Sequence, residues 1–360
     1  MRETGKTKTN TGHHARRPLR TACVYAVWAL LCCLMMTTAC AAAAGEKATR
    51  EFFAMDTYIS LSAYGPDAEA GLDAAEEEIH RLEAVLTTES EDSEVGRLNA
   101  EGTGVLGEDG IALMRKALMV HDMTDGAFDI TVYPLMRLWG FPSKMYYVPT
   151  DEEIAEKLPL VGSEQITFDE ESGETAFSKT KMAIDFGGIA KGYASAKAVQ
   201  KLREAGISSA LVNLGGNVQA LGGKPGGKPF RVAIENPEED GAYLGILAVT
   251  DLAVITSGDY ERFFEKDGRI YHHILDPATG RPAESGLHSV TVVCSDGVMA
   301  DALSTAIFVM GEEKAASFWR ENSPAFQMVL LAEDGTLFVT EGLKDIFETD
   351  REITWISTDA

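Results

Sequence analysis

Cysteine is nearly absent from the body of this chain. Of five cysteines, four fall within residues 1–40 and only Cys294 lies beyond them, in the apolar run "SVTVVCS". That excludes a disulfide framework, and no Cys/His cluster of zinc type exists. Cys294 is expected to behave as a small buried hydrophobe. Positive charge is also scarce. Thirty-two Lys and Arg face fifty-six Asp and Glu, for a formal net charge of −24. The first 39 residues carry six Lys or Arg and one acid, which leaves the rest of the chain near −29. So acidic a body excludes nucleic acid and anionic membrane surfaces as natural partners. A bound phosphate ligand would need local neutralisation by a metal, a lysine or a helix N-terminus. There is no Walker A loop, no dinucleotide fingerprint, no "GxSxG" elbow and no internal repeat. Histidine is scarce too, seven in all, yet two of them stand together in "RIYHHILDPATGRP", residues 269–282.

The N-terminus reads as a targeting segment. Arg16, Arg17 and Arg20 precede the apolar run "TACVYAVWALLCCLMMTTAC", a basic region, an apolar region and then small residues. Cys40 after Thr38-Ala39 resembles a bacterial lipoprotein cleavage site, although Thr37 stands where leucine is usual. The alternative is an uncleaved signal anchor, since the run is about long enough to span a bilayer. Both readings put the body outside the cytoplasm. The expected organisation is a signal over 1–39, a tether over 40–50, one compact catalytic unit over 51–345 and a tail over 346–360.

Within the body, "FFAMDTYISLSAYG" alternates like a strand. "DAEAGLDAAEEEIHRLEAVLT" and "GEDGIALMRKALMVHDMTDG" have helical apolar spacing, and their histidines, His80 and His121, are read as structural. "MAIDFGGIAKGYASAKAVQKLREAG" reads as a strand ending at Asp185, a Gly-rich turn and a helix from about Ala190, capped by Gly206. "SSALVNLGGNVQALGG" reads as two strands, and "QMVLLAEDGTLFVTEGL" as a hairpin about Asp334-Gly335. Helices and strands intersperse without a βαβ rhythm, which predicts an α+β fold.

Three stretches could carry chemistry. In "DFGGIAKG" two glycines at a helix start, with Lys191 behind them, could receive an anion, or could be an ordinary turn. In "ADALSTAIFVMG" the buried stripe Leu303, Ala306, Ile307 and Met310 would turn Asp301 and Thr305, one turn apart, to the other face. There they could grip a hard cation such as Mg²⁺, or form a polar outer face, or Asp301 could cap the helix. In "YHHILDPATG" an imidazole could move a proton, or the pair could sit on an exposed hairpin.

Taken in order, "AMDT", "SEVGRLN", "GAFDITVYPLMRLWGF", "IDFGGIAKGYA", "ALVNLGGNV", "TSGDYERFF", "HHILDPATG" and "ADALSTA" resemble the ApbE-type FAD:protein FMN transferases over residues 50–345. The resemblance implies a T-fold-like set of mixed sheets with packed helices. It implies an exported, often lipidated enzyme on the extracytoplasmic face of the membrane. That enzyme takes FAD and Mg²⁺, moves FMN to a threonine of an acceptor subunit of an electron-transfer system and releases AMP. It further implies His273 as general base, and Asp301, Thr305 and the Gly188 carbonyl as metal ligands. Met55, Ala127, Phe128, Asp129, Asp185, Lys191 and Leu275 would line the FAD site. His272 falls at a position the family does not fix and is taken as structural. Glu89 stands where many members place a tyrosine against the flavin. Two rival readings share these residues: a Mg²⁺-dependent FAD pyrophosphatase that uses water, and a flavin-binding lipoprotein without catalysis.

Overall fold

The computed structural model describes residues 45–359. The expected signal segment, Cys40 and residues 41–44 of the expected tether therefore lie outside the described residues, and residues 47–50 are not tether but the start of the first strand, Lys47–Ala54.

Nine strands make one sheet whose spatial order follows the chain. They are β1 (Lys47–Ala54), β2 (Thr57–Tyr64), β3 (Ala210–Leu214), β4 (Asn217–Leu221), β5 (Ala253–Gly258), β6 (Leu287–Cys294), β7 (Gln327–Ala332), β8 (Leu337–Thr340) and β9 (Ile353–Ile356). All neighbours are antiparallel except β8 and β9. The segment expected to be one strand is thus a hairpin. It turns at Met55-Asp56, both of which have positive φ (52° and 57°), as a two-residue turn of the primed type needs. Residues 346–360 are not a tail: β9 closes the sheet edge, and Phe347–Glu348 joins a second, three-stranded sheet.

Side chains alternate between two cores, as strand geometry dictates. Ile255, Val290, Val292, Met328 and Leu330 face a large core under the helices. Val254, Val293, Val329 and Leu331 face a smaller core, covered by the strands Phe230–Glu235 and Tyr243–Val249. Three helices that bear on the site pack in the large core: α1 (Ala68–Leu86), α2 (Gly187–Glu204) and α3 (Gly297–Met310). Between β2 and β3 the chain makes a long excursion. It contains α1, a small sheet of Thr103–Val105, Ile166–Phe168 and Glu174–Phe177, several short helices and finally α2.

Helix α3 is buried nearly all round, because α2 and the sheet both press on it. Asp301 is therefore 3% exposed rather than on a polar outer face. Nor does it cap the helix: Asp296 does, accepting from the Val298 and Met299 N–H groups at 3.0 and 3.1 Å. Helix α2 starts at Gly187, three residues before the expected Ala190, so both glycines belong to its first turn. The residues before it form no strand. Asn99 holds them instead, accepting from Ile184 N–H at 2.7 Å and donating to Ile184 C=O at 2.8 Å. Cys294 is buried and free.

Candidate active site

The crossing of α2 and α3 sets one wall. A Cβ built on Gly192 would meet the Gly297 carbonyl oxygen at 2.3 Å and the Asp301 Cβ at 2.7 Å. Only glycine allows this approach. The Gly192 N–H donates to Asp301 Oδ2 at 2.7 Å. In a regular helix that N–H serves the carbonyl four residues back, which is Gly188. Its donation to Asp301 eases that demand and leaves the Gly188 carbonyl oxygen with capacity for another partner. Gly188 also sits in a cradle: a Cβ there would lie 3.1 Å from the Phe128 ring and 3.7 Å from Thr305 Oγ1. Within 300–308 every residue but Thr305 is buried, so this hydroxyl is where α3 opens outward.

The opposite wall carries His273. The "DPATG" segment is a built turn. The Asp276 side chain accepts from Ala278 N–H at 2.9 Å, Gly280 takes φ +70°, and buried Trp139 donates its indole N–H to the Gly280 carbonyl at 2.9 Å. The His273 backbone N–H donates to the Arg262 carbonyl at 3.0 Å, and its Nδ1 lies 3.2 Å from the same oxygen. With the ring proton assigned to Nδ1, the lone pair is on Nε2. The Phe141 ring stands edge-on to the imidazole, 6.4 Å away between centroids. His272 turns into the protein instead. Its Nε2 lies 3.1 Å from the Ala283 carbonyl and its ring meets Phe308 at 5.4 Å.

Electrostatics ties the walls together. The ring of His273 is half-buried in the cleft wall. Enclosure by protein, and then the charges of Arg262 and Lys191, push it down from the ordinary imidazole value to about 3. Burial raises the Asp301 carboxyl, and Lys191 opposes this. Burial likewise raises Asp185, opposed by the Gly187 N–H at 2.9 Å and by Arg262. Lys191 thus acts on both His273 and Asp301, and Arg262 on both His273 and Asp185. Arg262 also reaches Asp56 at 3.3 Å, and Lys144 reaches the same carboxylate at 3.1 Å. These pairs draw the Met55-Asp56 turn toward the His273 wall.

The structure therefore brings together Phe128, Asp185, Gly188, Lys191, His273, Asp301 and Thr305, with Met55 at the rim beside Asp56 and Ala127 half-buried next to Phe128. Two expected site residues send their side chains elsewhere. The Asp129 carboxylate is occupied by Thr131 N–H and Oγ1–H, by Ser163 N–H and Oγ–H, and by His121 at 3.3 Å. It fixes the loop that carries Ala127 and Phe128. Leu275 is buried with Leu135, Trp139 and Phe141 beneath the turn. Either could meet a ligand through its backbone alone. Glu89 is exposed in the loop after α1. Arg262, Asn99, Lys144 and Asn217 were not singled out from the sequence. Arg262, Asn99 and Asn217 stand inside quoted motifs, but no spacing rule marks them.

Among the described residues no three His, Cys, Asp or Glu side chains converge to hold a metal. A cation here would have one carboxylate, one hydroxyl and one carbonyl. That oxygen set is poor for zinc and suits a hard cation that keeps waters and takes ligand phosphates. A groove of about 880 Å³, lined among others by Asn99, Arg137, Lys157, Lys179 and Lys181, contains none of Gly188, Lys191, His273, Asp301 and Thr305 and is not this site.

Comparison with known proteins identifies the family. Residues 55–330 match the ApbE family. An FAD:protein FMN transferase of Haemophilus influenzae is 33% identical over 274 residues, covering 72% of this chain and 78% of that protein. One from Treponema pallidum is 32% identical over 352 residues, covering 91% and 96%. The crystal structure of the ApbE protein of Thermotoga maritima superposes with a TM-score of 0.79 at 33% identity, covering 85% of this chain and all of that one. The flavin transferase ApbE of Vibrio cholerae gives 0.75 at 28%, covering 84% and 99%. The chain belongs to the ApbE family, and it is an FAD:protein FMN transferase.

Proposed function

We propose that this FAD:protein FMN transferase works with magnesium, with His273 as general base, on a threonine of an acceptor flavoprotein at the outer face of the cell membrane. One observation carries the reading. A histidine whose surroundings keep it neutral stands near a buried carboxylate, Asp301, one turn from the half-buried Thr305.

Asp301, Thr305 and the Gly188 carbonyl would hold the cation, which supplies Lewis-acid polarisation of the pyrophosphate and charge neutralisation for the departing AMP. Lys191 and the first turn of α2 add positive potential for that dianion in a protein of net charge −24. The acceptor threonine oxygen attacks the FMN phosphorus as its proton passes to His273 Nε2. The bond between that phosphorus and the bridging oxygen breaks, and AMP leaves with the oxygen. Imidazole suits the task because a threonine hydroxyl is a poor nucleophile unless its proton is taken as it attacks. The acceptor is expected to be a subunit of an extracytoplasmic electron-transfer system. Cys40, once lipidated, would tether the enzyme there. Among the described residues no helix is long and apolar enough to cross a membrane.

Incubation with FAD, Mg²⁺ and a candidate acceptor tests the reading by intact mass. Gain of one FMN on the acceptor, abolished by chelator, is expected. AMP release without acceptor modification would make it a pyrophosphatase, and neither product would make it a flavin binder.

A further inference from the structure

Asn217, the first residue of β4, is completely buried, and neither end of its side-chain amide makes a hydrogen bond. Such a group is rare, because leaving a buried donor or acceptor unpaired forfeits the bonds it made to water. The amide is not remote from the chemistry. Gln219, two residues on along the same face of β4, reaches the start of α3, where a Cβ on Gly297 would lie 2.7 Å from its Oε1, and Asp301 is one turn further along that helix. Asn217 accordingly favours the ionised Asp301 carboxylate, though no contact between them has the geometry of a hydrogen bond. Asp301 Oδ2 takes the Gly192 N–H at 2.7 Å, and the Lys191 backbone N–H also favours the ionised carboxylate. Below it the polar groups are satisfied among themselves. Ser304 Oγ–H donates to the Asp301 carbonyl at 2.8 Å, and Ser257 Oγ lies 2.7 Å from Ser304 Oγ. Gln219 Oε1 on the same strand and Ser195 Oγ on α2 are also unpaired, but Asn217 is left unpaired at both ends of its amide, beside the carboxylate that the proposed function assigns to the cation.

We infer that Asn217 is a positioning residue for the cation site: its NH₂ group steadies Asp301 Oδ1, and its carbonyl oxygen accepts from the cation's water shell. The amide completes its bonds only when the cation is bound. This explains a free-state deficit that would otherwise be a pure loss of stability. It rests on the proposed cation site and adds to it a residue outside the three ligands.

The test uses Asn217→Leu, close in volume and without polar atoms, and Asn217→Ser, which keeps a donor. Mn²⁺ binding is followed by the electron paramagnetic resonance of free Mn²⁺, with FAD present and acceptor absent. Melting is followed in chelator. Loss of an outer-shell partner typically weakens metal binding 10–100-fold, and that is expected for Asn217→Leu, with partial recovery in Asn217→Ser. In chelator the Leu variant should melt at or above the wild-type temperature, because an unpaired amide has been removed. A merely structural asparagine, or one bonded to a buried water, predicts the reverse. The Leu variant would then melt several degrees lower or fail to fold in chelator, or would bind Mn²⁺ like the wild type; any of these overturns the inference. If the wild type itself binds no Mn²⁺, the cation site fails as well as this residue's role.

Discussion

Gly192 and Asp301 meet at a distance no other residue pair would permit: the glycine N–H donates to the carboxylate at 2.7 Å, while a Cβ on the glycine would press to 2.7 Å from the aspartate Cβ. Helix packing and the site are therefore one contact. Gly192→Ala must push α2 from α3, since the other obstacle, the Gly297 carbonyl at 2.3 Å, is backbone. The expected loss is about 1–3 kcal/mol, the usual cost of overpacking, together with weaker metal dependence of flavin transfer. Urea unfolding measures the first, and a normal stability would refute the contact.

Asp301→Asn should separate binding from folding. It removes a charge buried at 3% exposure, so the metal-free protein should be as stable as the wild type or more so. Flavin transfer and the dependence of FAD affinity on Mg²⁺ should both collapse. FAD titrations that respond to Mg²⁺ as in the wild type would show that the cation lies elsewhere.

His273 makes a prediction about pH. In the free enzyme its value is pushed to about 3, so it is an unprotonated base throughout the working range. The acid limb of kcat/KM should lie well below 6.5, the ordinary imidazole value, leaving the profile flat in this respect from about pH 5 upward. Because a bound pyrophosphate favours the imidazolium, the limb in kcat should move to higher pH than that in kcat/KM. His273→Ala should keep FAD affinity and lose transfer by about 10²-fold or more. A kcat/KM limb at 6.5 would contradict the surroundings described for the ring.

The pair of His121 and Asp129 predicts a pH-dependent stability of opposite sign. Hydrogen bonding to Asp129 raises His121 to about 9, above its unfolded value near 6.5. Its stabilising contribution is therefore complete below 6.5 and is lost as pH climbs through about 9. His121→Leu should flatten that part of the curve in denaturant titrations. An unchanged slope would mean that the pair contributes nothing to folding.

Cys40→Ser should abolish incorporation of labelled lipid and release the body from the membrane fraction. Retention of residues 1–39 in the wild-type membrane protein would favour the uncleaved anchor.

Some of this was legible along the chain because it is local. The turn at Asp276–Gly280 follows from an aspartate side chain and a left-handed glycine four residues apart, and α3 from its apolar spacing. The order of motifs was enough to suggest the family, and His273, Lys191, Asp301 and Thr305 could be named from it. What the sequence could not decide depends on residues far apart in the chain. Asp301 looked like an outward-facing polar residue because helical periodicity describes one helix, not the second helix lying across it at Gly192. The lowered value of His273 is not legible along the chain, because neither Arg262 nor Lys191 is its neighbour in a periodic sense. The fold puts their charges, and the walls of the cleft, around the ring. Asp129 reads as a ligand group until Ser163 and His121 are seen to occupy it. Local propensity, then, determined the elements; the packing of elements separated by dozens of residues decided which of their polar groups are buried, paired or left free to act.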